Sequence, residues 1–229
     1  MSLLDIPRAL RDFIFPTSCH LCGNHIETGQ ILCGICQAAL PRTLYHTNPN
    51  NPMAMRFAGK FPFDRATGHF FYSSGAPISE LMQDLKYRRF PSVGPFLGRL
   101  IADELFPSAF LQDLDYILPI PMHFLKKARR GYNQTELIAA GVSESTGIPV
   151  RHFLKASRPH RTQTALTIEQ RMENLRNIFT LAETPRSGAR ILLIDDVCTT
   201  GSTLTSAALT LLHAQPSLRL SLLTVGVTY

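Results

Sequence analysis

Beyond about residue 66 the chain alternates between short apolar runs and stretches in which apolar residues recur every three or four positions, a pattern that predicts strands and helices in turn. Residues 67–73 read as a strand. Ile78, Leu81, Met82 and Leu85 then fall at helical spacing, and Phe96, Leu97, Leu100, Ile101 and Leu105 place a second helix over 93–106. Residues 115–121 form a short buried strand, followed by a basic loop and a helix over 134–145. A further strand is expected at 148–154 and a polar helix at 167–179, with Met172 and Leu175 on one face. The clearest element is 190–197, where Ile191, Leu192, Leu193 and Ile194 run without a polar break, as in a strand covered on both faces. A helix over 203–213, with Leu204, Ala207, Ala208, Leu211 and Leu212 inward, and a closing strand over 218–227 complete the series. Such alternation implies an α/β fold built on a doubly wound, mostly parallel sheet.

Ahead of this region the pattern is different. Residues 1–45 hold two C-x-x-C knuckles, Cys19–Cys22 and Cys33–Cys36, and little apolar periodicity. Residues 46–65 are rich in Asn, Pro and Met and read as a linker or irregular connection. The expected organisation is a four-cysteine module (1–45), a connection (46–65) and the α/β domain (66–229). With 229 residues there is room for one well-buried core plus a small appendage, at roughly 150 residues per domain. No stretch approaches the ~18 consecutive apolar residues of a membrane span. The first fifteen residues mix Asp5, Arg8, Arg11 and Asp12 through their apolar positions, unlike a signal peptide. These features point to a cytoplasmic protein that does not insert into membranes.

Composition adds a partner class. The net charge is +6, and basic residues gather at Lys86, Arg88 and Arg89, at Lys126, Lys127, Arg129 and Arg130, and at Arg158, Arg161, Arg171 and Arg176. A phosphate-bearing ligand suits such clusters; a solvated basic surface is the plainer alternative.

Residues 191–203 are the most informative. A buried strand delivers Asp195 and Asp196 at its carboxyl edge, and Val197, Cys198, Thr199, Thr200, Gly201, Ser202 and Thr203 then turn directly into a helix. In open α/β sheets ligands bind at that edge. The N–H groups and dipole of a helix start favour a phosphate, with the hydroxyls of Thr199, Thr200, Ser202 and Thr203 as extra donors and Gly201 permitting close approach. Ionised carboxylates only accept hydrogen bonds, so Asp195 and Asp196 suit sugar hydroxyls one ribose-length away. The alternative is an ordinary strand-to-helix turn with Asp and Thr as caps.

The order of four apolar residues, two acids and a Thr/Ser/Gly turn resembles the phosphoribosyl pyrophosphate (PRPP) motif of type I phosphoribosyltransferases. That resemblance implies that Asp195 and Asp196 hold the ribose hydroxyls as the catalytic pair and that residues 198–203 cradle the 5-phosphate. Further segments are similar to the ComF/GntX-like proteins of bacterial competence and DNA utilisation: Leu85-Lys86-Tyr87, Pro119-Ile120-Pro121, Arg129-Arg130-Gly131-Tyr132-Asn133-Gln134, and Gln163-Thr164-Ala165-Leu166 followed by Arg171, Asn174 and Asn177-Ile178-Phe179. In this fold the loop after 115–121 meets pyrophosphate. Arg129 and Arg130 offer forked donors there, Arg130 the better placed of the two, and Gly131 permits a tight turn. Asn133 opens the next helix and is also a natural cap. Residues 158–166 resemble a loop that folds over PRPP, from which Arg161 or Gln163 reaches the pyrophosphate. Arg171 and Asn174 share a helix face, either a site edge or a solvated stripe. Cys198 stands without a sequence-adjacent histidine and reads as a small residue filling the turn rather than as a nucleophile.

Cys19, Cys22, Cys33 and Cys36 match the spacing of a tetrahedral zinc site, with His20 or His25 as an alternative to one thiol. Four protein ligands leave no open position, so the Zn²⁺ is structural and orders a segment too small to bury its own core. The resemblance implies two activities. One is transfer of the ribosyl carbon of Mg²⁺-PRPP to a nitrogen nucleophile; the other is a non-catalytic, PRPP- or nucleotide-responsive protein contacting single-stranded DNA through Tyr87, Phe90, Phe124 and Tyr132. PRPP or a related sugar phosphate, single-stranded DNA and proteins of the DNA-uptake machinery are the implied partners.

Overall fold

The computed structural model describes residues 18–88, 90–157 and 178–229. Short helix α1 (Gly34–Ala38) is capped by Cys33, whose Sγ accepts from the Cys36 amide. Helix α2 (Pro52–Phe57) starts at Asn51, whose side chain accepts from the Ala54 amide while its Nδ2 donates to Tyr45, Asn48 and Ala66 carbonyls. Strand β1 (Arg65–Phe71) leads to α3 (Pro77–Gln83), which widens into a π-turn (Asp84–Arg88), and then to α4 (Val93–Leu105). Strand β2 (Tyr116–Pro119), α5 (Phe124–Arg130) and α6 (Gln134–Thr146) follow. Next come β3 (Leu154–Ala156), β4 (Phe179–Leu181), β5 (Arg190–Cys198), α7 (Ser202–Ala214) and β6 (Arg219–Val227).

Four strands form one sheet in the order β1-β6-β5-β2, every neighbouring pair parallel. Alternation along β5 explains why its apolar run is unbroken. Ile191 and Leu193 join one core with α7 and α2, whereas Leu192 and Ile194 join another with α3, α4 and α6. The sheet is thus covered on both faces, as the α/β reading requires. Helices α4 and α6 cross closely because Gly98 and Gly141 leave no side chain at the contact; a Cβ on either would strike the other helix's backbone.

The cysteine segment is docked on this body. Cys19, Ile26, Leu32 and Leu40 are buried in the same core as Leu81, Leu85, Val93 and Leu97.

Three stretches differ from the sequence pattern. Residues 46–65, read as irregular, contain α2, whose Met53 and Phe57 are fully buried; six residues are too few for helical periodicity to register. The basic loop after β2 is helix α5. None of its residues is buried, so it carries no apolar stripe to reveal it. The strand expected over 148–154 is displaced: Val150 makes an isolated parallel bridge to Ile117, and β3 begins at Leu154 and pairs antiparallel with β4. Of the helix expected over 167–179, all but the end lies outside the described residues, and Phe179 opens β4. Among the described residues no helix is long and apolar enough to cross a membrane.

Candidate functional site

A cleft of about 300 Å³ opens at the carboxyl edge of β5 and β2, lined among others by Asp195, Asp196, Val197, Thr203, Arg130 and Lys86. Polar side chains here are ordered by the chain that carries them. Asp195 Oδ1 accepts from the Asp196 amide at 2.8 Å and Asp196 Oδ1 from the Val197 amide at 2.6 Å. The adjacent acids are not equivalent. Burial, then the neighbouring Asp196 charge, push Asp195 up to about 8. Burial would raise Asp196 too, but the Lys86 ammonium, 2.6 Å from Oδ2, and Gln134 Nε2, donating at 3.0 Å, hold it below the usual carboxylate range. The cleft therefore offers one protonated and one ionised carboxyl near neutral pH.

The following turn is supported from beneath by α2. Arg56 Nη1 donates to Cys198 O at 3.3 Å and also to Thr199 O, and Nη2 to Thr228 O. Gly201 has φ 76° and precedes α7, and a Cβ there would come within 2.6 Å of the Phe57 ring. Only glycine satisfies both constraints. Arg56 engages the Cys198 and Thr199 carbonyls; at the start of α7 Ser202 N donates to Thr200 Oγ1 at 3.4 Å and Thr205 N to Gly201 O at 2.9 Å, and the helix start also presents the amides of Thr203 and Leu204. Val197 and Thr203 line the cleft, whereas Thr199 and Thr200 are exposed and do not line it, and Thr200 Oγ1 donates to Ser202 Oγ at 3.2 Å. Cys198 points into the apolar core, where burial raises its thiol, so it is a packing group rather than a nucleophile.

The opposite wall comes from the π-turn, α5 and the start of α6. Arg130 Nη1 donates to Gln134 Oε1 at 2.5 Å, which extends the chain of contacts to Asp196, and its guanidinium lies 5.4 Å from the Tyr87 ring centre. Lys126 and His123 line the same wall. Arg129 is exposed and not part of it, and Gly131 closes α5 in the left-handed region. Asn133 acts as the cap of α6: its Oδ1 accepts from the Thr135 amide, and it and Thr135 both donate to Ile120 O, which pins α6 to the end of β2. Gln163, Arg161, Arg171 and Asn174 lie outside the described residues. Lys86 and Gln134 are the contacts that residue types alone did not single out as site groups; their signal was membership in the Leu85-Lys86-Tyr87 and Arg129–Gln134 segments.

The four thiols of Cys19, Cys22, Cys33 and Cys36 converge, with all sulfurs within 4.8 Å of one another and Cys22 Sγ 3.7 Å from Cys33 Sγ. A tetrahedron of sulfurs each ~2.3 Å from one ion has edges of about 3.8 Å, so the spacing fits a single metal. Amides also point at the sulfurs, Cys33 N to Cys19 Sγ at 3.3 Å and Cys36 N to Cys33 Sγ at 3.4 Å. Burial would raise Cys19, but backbone N–H groups outweigh it and bring the thiol down to about 6, towards the thiolate a metal needs. His20 is not a competing ligand: its Nε2 lies 2.6 Å from Asp84 Oδ2.

Together these features define an α/β protein with a polar cleft at the carboxyl edge of a parallel sheet and a cluster of four thiols spaced to hold a metal ion. No family model matches the chain. The DNA utilization protein YhgH of Salmonella typhimurium is 30% identical over 207 residues, covering 85% of this chain and 84% of that protein. Competence protein F of Haemophilus influenzae is 32% identical over 143 residues, 60% of this chain and 61% of that protein. The chain belongs to the family of these DNA utilization and competence (ComF) proteins. Among solved structures, the glutamine PRPP amidotransferase from B. subtilis aligns with TM-score 0.42 and 20% identity over 61% of this chain, which spans only 30% of that chain.

Proposed function

We propose that this protein binds Mg²⁺-PRPP at the β5–α7 edge and serves uptake of DNA or its use as a nutrient. The observation that carries the reading is the cleft itself: a carboxylate pair, a helix start and a cationic wall meet around a space at the lower end of the range for small ligands. The relatives' names, DNA utilization protein and competence protein, supply the DNA context.

In this reading Asp195 and Asp196 hold the ribose hydroxyls, Asp196 as acceptor and Asp195 able to donate as well while protonated. The 5-phosphate lies on the amides and hydroxyls of residues 198–203. Lys86, Lys126 and Arg130 face the pyrophosphate and stabilise the charge that develops as it leaves. Oxygen donors for Mg²⁺ are available at Asp195 and Asp196, and the ion, when bound with the sugar phosphate, neutralises pyrophosphate charge. The protein's contribution to transfer is to orient the ring and to shield an oxocarbenium-like carbon from water. The metal of the cysteine module is assigned as structural Zn²⁺, on the thiol geometry and the absence of an open position.

Incubation with Mg²⁺-PRPP and a panel of nitrogenous bases should release pyrophosphate, and the Asp195→Asn/Asp196→Asn double variant should abolish both release and PRPP binding by calorimetry. Wild-type protein that binds no PRPP refutes the reading; binding without release selects the non-catalytic alternative.

That second reading, a PRPP- or nucleotide-responsive protein contacting single-stranded DNA, is favoured by the outer wall of the cleft. Phe124 is 68% and Tyr87 64% exposed beside Lys126, Arg129 and Arg130, a mixture suited to stacking bases over a tracked backbone. Tyr132 does not contribute, because it packs partly into the core with its Oη donating to Leu85 O. Affinity for single strands should fall steeply with salt and weaken in Lys126→Ala/Arg130→Ala, and salt-insensitive binding would exclude it.

A further inference from the structure

We propose that the four-cysteine module is a working part of the cleft: His20, carried between the thiol ligands Cys19 and Cys22, positions Lys86 on Asp196. The inference rests on the cleft being the ligand site.

Lys86 belongs to the π-turn Asp84–Arg88, a rare wide turn that persists only where its surroundings over-determine it, because the extra residue re-aims every side chain after it. The determinant at its start is Asp84. This carboxylate is 3% exposed and requires partners; it has His20 Nε2 at 2.6 Å and Arg88 Nη1 at 2.9 Å. Arg88 is largely exposed, so the partner that is itself anchored is His20. At the far end, the His20 ring meets the Phe90 ring edge-on with centroids 4.6 Å apart. One imidazole thus touches both ends of the segment that holds Lys86 and Tyr87, the two residues through which it faces the cleft. Lys86 in turn reaches Asp196 at 2.6 Å. His20 owes its own position to the flanking thiols and to the burial of Cys19, Leu32 and Leu40 against α3 and α4. Losing the metal loosens this loop, and the path to Asp196 runs through a hydrogen bond, a ring contact and one turn of backbone.

The test uses the full-length, metal-loaded protein and reads Lys86 directly. Brief acylation with an N-hydroxysuccinimide ester, quantified by peptide mass spectrometry against exposed Lys126, should modify Lys86 about three- to tenfold faster in His20→Ala than in wild type. Metal content should be unchanged and His20→Gln, which keeps a donor, should restore protection. Asp84→Asn, which leaves every residue of the thiol loop unchanged, should expose Lys86 in the same way, so the outcome does not depend on His20→Ala retaining its fold. In parallel, PRPP affinity should drop by a similar factor in His20→Ala, and this drop should vanish in a Lys86→Met background. Unchanged Lys86 labelling in both His20→Ala and Asp84→Asn, or an affinity loss that persists without Lys86, overturns the proposal. If wild type binds no PRPP, labelling alone decides, so failure of the PRPP reading and failure of the positioning role are separate results.

Discussion

Two regions of this molecule crowd like charges together, and they resolve the problem differently. In the cysteine module four thiols lie within bonding distance of one point. Cys19 is drawn down to about 6 by amides that outweigh burial, while Cys36 is pushed up to about 12, the Cys22 sulfur being the largest cause. At the β5 edge two carboxyls share a buried corner. Asp196 is kept ionised by Lys86, and Asp195 is pushed towards its neutral form. Neither cluster can ionise fully by itself. The soft, closed sulfur site calls for a metal cation, whereas the oxygen site already has a protein cation, is open to a cleft, and keeps one acid in reserve. The contrast teaches that like-charged groups can be brought together either as a closed set of ligands or beside a cation of the protein's own.

Removing the metal is the strongest way to break this comparison. A small segment whose four thiols hold an ion would draw much of its folding energy from it, so on the proposed reading a chelator, or Cys33→Ser, should lower Tm by on the order of 10 °C and expose residues 18–40 to hydrogen exchange. A protein indifferent to chelation has no metal-held module.

Lys86→Met asks whether the lysine does for the carboxylates what the metal does for the thiols. Leaving Asp196 buried without its cation should cost about 3 kcal/mol in urea unfolding. Lys86→Met/Asp196→Asn, which removes both charges, should recover most of it. Equal losses in the single and double variants would show that the pair is not coupled.

Asp195→Asn has a smaller, signed effect. The folded value of about 8 lies above the ordinary carboxylate value of about 3.9. Between those values the native state holds a proton that the unfolded chain has released. The stability this group contributes is full below about pH 4 and is lost as pH rises to about 8. Asparagine mimics the protonated form and does not decline. The variant should therefore match wild type near pH 4 and exceed its Tm by on the order of 5 °C at pH 8; a gain that is independent of pH would refute the raised value.

The smallest effect sharpens the border of the site. Arg129→Ala should change stability by no more than ~0.5 kcal/mol and PRPP affinity by less than about twofold, since an exposed group of this kind contributes little. Arg130→Ala removes a donor to Gln134 and should weaken PRPP binding by about tenfold. Equal effects would place the wall elsewhere on α5.

Local chemistry made part of this legible. The apolar run of β5 announces a two-sided strand, its parity assigns Ile191 and Leu193 to one core and Leu192 and Ile194 to the other, and the acids after it line the cleft. Two C-x-x-C knuckles announce the cluster of four thiols because sulfur spacing within each knuckle is fixed by a few bonds. Helices α2 and α5 were not legible, the first for its brevity and the second because no face of it is buried. The placement of Arg56 and Phe57 beneath the turn was equally hidden, whereas Arg130, which lines the cleft, was singled out by its basic segment.

What the sequence by itself determined is whatever depends on neighbours along the chain: the alternating elements, the parallel sheet they imply, the thiol set and the carboxylate-turn segment. Only the tertiary structure decided which distant groups complete these pieces. Lys86 against Asp196, His20 against Asp84 and Phe57 under Gly201 are contacts across dozens of residues or more. Such pairings arise from how the layers pack, and neither periodicity nor spacing carries that information.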